Sequence, residues 1–126
     1  MIPRPDPGLV FDDYQNFTKT TATYPGVGTK NEHAIIYCTL GLNGEVGEIA
    51  EKVKKLIRDE GGFEALTKID DEKRRAFAKE LGDVMWYLAR LSGELGFSLS
   101  EIARMNVEKL SSRKVRGAIR GSGDDR

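Results

Sequence analysis

Apolar residues recur along most of this chain at three- and four-residue steps rather than in alternation, a period that predicts helices. Leu9, Val10, Tyr14 and Phe17 mark a short first helix that ends before the Pro-Gly loop YPGVG. A long second helix is expected over about 31–58, with Ile35, Thr39, Leu42, Val46, Ile49, Val53 and Leu56 as its core stripe. The Gly-Gly pair in DEGGFEALTKIDDEKRR breaks it, and Asp70 or Asp71 is a candidate N-cap for a third helix running to about 95. Leu81, Val84, Leu88, Leu91 and Leu95 stripe that helix, and Gly96 reads as its stop. Ser98 with Glu101 three residues later is a capping-box pattern, opening a fourth helix that reaches about 113. No strand or hairpin signal competes. The expected fold class is all-α, a bundle of about four helices forming one domain over 1–113. The remainder, 114–126, ends in GAIRGSGDDR, has too little apolar content to pack and is expected to be flexible.

The second helix contains an anomaly. In GEVGEIAEKVKKL, two glycines stand among carboxylates, although glycine in a helix interior costs roughly 1 kcal/mol relative to alanine. Glu45 and Glu48 lie one turn apart on one face, like charge against like charge. KELGDVMWYLARL repeats the arrangement with Glu80, Asp83 and Gly82. Each of Glu45, Glu48, Lys52 and Lys55 precedes a stripe residue by one position, as do Glu80, Asp83, Tyr87 and Arg90 in the third helix. If the two helices pack antiparallel, the acid pairs face each other across the seam. Two unit charges 4 Å apart repel by about 4 kcal/mol at an effective dielectric of 20, so four converging acids call for a cation. Oxygen-only ligation favours Mg²⁺ or Mn²⁺, and Mg²⁺ commonly completes its shell with phosphate oxygens, which points to a phosphorylated ligand. A glycine beside each acid pair leaves room for a helix or a nucleotide to come close. Solvated helix charges, with Glu48 and Glu51 pairing to Lys52 and Lys55, are the competing reading. A di-iron centre would need Glu-x-x-His on two helices, and neither has a histidine one turn after its acid.

Composition narrows the setting. Twenty basic and twenty acidic residues cancel, so no overall positive field points to a nucleic-acid polymer. Cys38 is the single cysteine and sits in an apolar-periodic stretch, so a buried thiol in a reducing cytoplasm is expected. No run approaches the roughly 18 apolar residues of a membrane span, and the opening MIPRPDPG lacks the apolar core of a signal peptide. With 126 residues, a large active site would need a partner subunit.

GLNGEVGEIAEKVKK followed by KELGDVMWYLARL resembles the paired ExxE and ExxD helices of MazG-like all-α nucleoside triphosphate pyrophosphohydrolases, and the resemblance runs over 31–113. It implies that Glu45, Glu48, Glu80 and Asp83 bind Mg²⁺, with Mn²⁺ a possible substitute. It also implies that water attacks the α-phosphorus of a nucleoside triphosphate to give the monophosphate and pyrophosphate, in nucleotide-pool house-cleaning. Glu45 or Glu48 would orient or deprotonate that water. NVEKLSSR supplies the family's Asn-x-x-Lys element and a basic residue beyond it as Asn106, Lys109 and Arg113, on one face with Ile102, to hold phosphates. Tyr87 matches a sugar- or base-contact position and His33 a base-contact position in some relatives, while Lys52 and Lys55 can reach phosphate or pair with Glu48 and Glu51. Trp86 is read as packing. A homodimer or homotetramer is implied. The alternatives are a phosphoribosyl-ATP pyrophosphohydrolase and a non-catalytic helical module that binds a nucleotide or a protein.

Overall fold

The computed structural model describes residues 8–126; the opening segment 1–7, which carries most of the stretch read above as lacking a signal peptide, lies outside the described residues. Four α-helices and one 3₁₀ helix follow in order: α1 (Phe11–Thr21), α2 (Glu32–Asp59), the 3₁₀ helix (Gly62–Lys68), α3 (Asp71–Glu94) and α4 (Leu99–Val115). No strand occurs among the described residues, and no helix there is long and apolar enough to cross a membrane.

The helix starts follow from local chemistry. The Asn31 side chain accepts from Ala34 N at 3.0 Å, and Asp70 accepts from Lys73 N at 2.9 Å, each satisfying a first-turn N–H. Ser98 and Glu101 form the complete capping box. Gly96, at φ +86°, takes the left-handed conformation that ends α3, and Phe97 N donates back to Ser92 O at 2.9 Å. The segment between α2 and α3 is more ordered than its Gly-Gly signal indicated, because GFEALTK continues as a 3₁₀ helix packed on α2.

α2 and α3 pack antiparallel. Gly41 faces Tyr87, Lys52 pairs with Glu80, and Glu60 pairs with Lys73, so numbers fall on α3 as they rise on α2. Gly41 has a steric role, since a Cβ there would collide with the Tyr87 ring. α1 lies on α3 and α4, and α4 packs on α1 and α3 but not on α2.

The core differs from the expected stripes. Its centre is Tyr24, Ala34 and Cys38, backed by Ala22, Trp86, Tyr87 and Leu91. Cys38 is buried as expected. The predicted first-helix stripe is corrected: Leu9, Val10 and Phe17 are exposed, and the buried positions of α1 are Gln15 and Thr18. Gln15 holds three backbone groups, donating to Ala89 O and Phe97 O and accepting from Leu99 N, so a polar residue joins α1 to both α3 and α4. In the long helices Leu56 is buried, but Val46, Leu81, Leu88 and, at the end of α3, Leu95 are exposed, left uncovered by the other described elements.

Candidate metal and phosphate site

Glu45 projects from α2, and Glu80 and Asp83 from the facing turns of α3. One carboxylate oxygen from each lies within 4.8 Å of the others. Helical spacing puts Glu80 and Asp83 on one face, and the antiparallel register brings Glu45 opposite them. Burial, then the charges of Asp83, Glu80 and Glu48, raise the Glu45 carboxyl above its ordinary value. Lys52 Nζ, 3.3 Å from Glu80 Oε1, is the cation paired with this trio among the described residues. Three carboxylates and one ammonium leave uncompensated negative charge, and the all-oxygen donor set suits a hard divalent cation.

Glu48 is exposed and stands outside the trio, though its charge is felt at Glu45. Arg90, which its spacing put on the same edge, turns away toward α1 and Glu94. Lys55 pairs with Glu51 at 3.6 Å, and Glu51 also holds Lys54, whereas Lys52 reaches across to Glu80 rather than along its own helix to Glu48. A Cβ on Gly47 or Gly82 would meet nothing within 4 Å, so these glycines admit no helix of this chain. The space beside them is open.

Other expected site residues are distributed over the fold. Tyr87 is half-buried, with its ring against Gly41 and edge-on to Trp86 at 5.0 Å. Trp86 packs as expected and donates from its indole to Thr21 Oγ1 at 2.7 Å. His33 is exposed in the first turn of α2. Asn106 and Lys109 are exposed on α4, while Arg113 is buried beneath the C-terminal segment. Because α4 does not pack on α2, its cations and Glu45 belong to separate helix contacts within one copy.

One neighbour of the site, Tyr14, was expected only as a stripe residue of the first helix, and a buried network farther along α3 was not expected. Tyr14 sends its hydroxyl toward Gly82 O at 3.5 Å, and burial together with the Asp83 charge raises its phenol. At the C-terminal end of α3, away from the trio, buried Glu94 accepts from Tyr24 at 2.6 Å, Gly28 N at 2.7 Å and Lys30 N at 2.8 Å, and faces Arg90 at 3.8 Å. Arg90 donates in turn to Tyr24 and Thr18, so loop 22–30 is fastened to α3. An i,i+4 Arg–Glu pair near a helix end is the only signal of this network in the sequence, and solvated pairs look the same.

A facing pair of helices that gathers three carboxylates beside open glycines defines a class of protein, and the family model of the MazG nucleotide pyrophosphohydrolase domain matches residues 37–116. The chain belongs to that family. It is 48% identical over 116 residues to the Gene 37 protein of Mycobacterium phage L5, covering 91% of this chain and 97% of the relative. No solved structure matches it.

Proposed function

We propose that this chain hydrolyses a nucleoside triphosphate at the α-phosphorus, releasing a nucleoside monophosphate and pyrophosphate, and that it needs Mg²⁺ to do so. The observation that carries this reading is the convergence of Glu45, Glu80 and Asp83 with, among the described residues, only Lys52 paired against them. Bound there, Mg²⁺ would neutralise charge on the phosphate oxygens and position them for in-line attack. Glu45, Glu80 and Asp83 would hold it, with Glu48 completing the set or orienting water from its exposed turn. A carboxylate takes the proton as the water oxygen bonds to phosphorus, and the bridging oxygen leaves with pyrophosphate. Lys109, Arg113 and Asn106 would hold the phosphates; Lys52 would leave Glu80 for phosphate oxygen once the metal is bound. Tyr87 and His33 are the contacts proposed for sugar and base.

The acting unit is proposed to be a homo-oligomer. Met105, Val107 and Leu110 on α4, with Val46, Leu81 and Leu88 on α2 and α3, expose apolar surface that a second copy would cover. Since α4 stands off α2 in one copy, a second copy can bring cations and acids around one substrate. House-cleaning of the nucleotide pool in the cytoplasm is the role that fits this chemistry.

Purified protein assayed with a panel of canonical and modified triphosphates should release pyrophosphate only with Mg²⁺, and Glu45→Gln should abolish it. Turnover of phosphoribosyl-ATP alone would instead assign that substrate. No release from any substrate would leave a nucleotide- or protein-binding module.

A further inference from the structure

The segment after α4 folds back on the two cations assigned above to phosphate. Asp124 Oδ1 lies 3.3 Å from Lys109 Nζ and 3.5 Å from Arg113 Nη2. The same Arg113 nitrogen donates to the backbone carbonyls of Asp124, at 2.6 Å, and Gly123, at 3.2 Å. Arg126 fastens the loop by donating to Ala118 O, Ile119 O and Gly123 O, and its own carbonyl accepts from Arg116 at 2.8 Å. Arg113 is only 4% exposed, yet its Nε has no partner among the described residues.

These contacts form an incomplete anion site. The tail acceptors that meet Arg113 all do so at one nitrogen, Nη2, leaving idle a buried donor, Nε, that the planar guanidinium could use in a two-point grip. A phosphate group presents three oxygens and more charge than one carboxylate. The Lys109 ammonium and then the Arg113 guanidinium hold the Asp124 carboxyl below its ordinary value, so it stays ionised at neutral pH.

We propose that segment 116–126 is a built-in competitor for substrate, in which Asp124 occupies the phosphate-binding cations and must be displaced before a triphosphate can engage them. The proposal rests on Lys109 and Arg113 being phosphate ligands. Asp124 is 85% exposed at its side chain, so although Arg113 is buried, the carboxylate end of each pair is reached by solvent and the strap opens readily. Its effect is therefore a tax on affinity rather than a block, on the order of fivefold.

The test is calorimetric binding of inorganic pyrophosphate to the full-length protein without metal, where the acid trio cannot assist. Asp124→Asn removes the carboxylate, and Arg126→Ala loosens the loop while leaving both cations in place. Both should bind pyrophosphate about fivefold tighter than the parent. Pyrophosphate should also speed tryptic cleavage after Arg120 in the parent protein. Equal affinity in all three proteins, or cleavage indifferent to pyrophosphate, overturns the strap while leaving the cations as phosphate ligands. Absence of binding in all three, or binding unchanged by Lys109→Ala, overturns the assignment of the cations and the strap with it.

Discussion

Lys52 Nζ stands 3.3 Å from Glu80 Oε1 across the α2–α3 seam, the one ammonium among the described residues paired with the three carboxylates. A divalent ion at the trio would replace this partial neutralisation. Adding Mg²⁺ should raise the thermal midpoint, since a ligand at 100 times its dissociation constant stabilises by about 2.7 kcal/mol. Lys52→Met should enlarge the Mg²⁺-dependent rise and lower kcat/KM. A midpoint indifferent to 10 mM Mg²⁺ in calorimetry would count against the site.

Glu45→Gln separates catalysis from stability. Burial and its acidic neighbours disfavour the charged form of Glu45, so the neutral amide should make the metal-free protein more stable at pH 7 while cutting pyrophosphate release at least about 100-fold. Paired urea titrations and turnover assays check this. A variant less stable than the parent without metal would show that repulsion is not what the trio contains.

The glycines should part company on substitution. Gly41→Ala drives a methyl into the Tyr87 ring and should cost about 1–3 kcal/mol by overpacking, less what better helix propensity returns. Gly47→Ala meets open space and should stabilise by about 1 kcal/mol. If that space is kept for substrate, the same variant should raise KM. Denaturation midpoints with Michaelis constants decide both points, and Gly47→Ala with unchanged kinetics would remove the nucleotide from that face.

Glu94 sets an acid limit. Burial pushes its carboxyl up, but bonds from Tyr24, Gly28 and Lys30 and the Arg90 charge outweigh it and leave the group below its ordinary value near 4.5. The stability it contributes is therefore complete above that value and is lost as pH falls through the lowered one. Glu94→Gln, which strands the buried Arg90, should cost about 3–5 kcal/mol at pH 7. The gap between variant and parent should hold down to about pH 5 and then narrow, as urea unfolding across pH would show. A gap independent of pH would deny Glu94 this role.

The order of helices was legible because its signals are local. Asp70, one of two candidates, and the Ser98–Glu101 box are read within three residues of chain and proved to be caps, while Asn31, expected only near the start of the second helix, caps it as well. Convergence of acids from two helices was legible for a related reason, since positions one turn apart share a face and one antiparallel contact brings two such faces together; of the four acids expected to meet, Glu45, Glu80 and Asp83 do and Glu48 stands outside. The stripes were less faithful. A period identifies an apolar face but not what lies against it, and the faces carrying Val46, Leu81 and Leu88 are left uncovered by this copy.

By itself, then, the sequence determined the helical period, the caps and the carboxylate pairs, all set by interactions within a turn or two. Only the tertiary structure decided that Gln15 rather than Phe17 faces inward and that Arg90 leaves the acid edge for Glu94. It likewise showed Gly41 to be the glycine at the helix contact and Asp124 to reach back onto Lys109 and Arg113. These outcomes depend on which surfaces meet across long separations, where one side chain's partners are fixed by the packing of elements rather than by its neighbours in the chain.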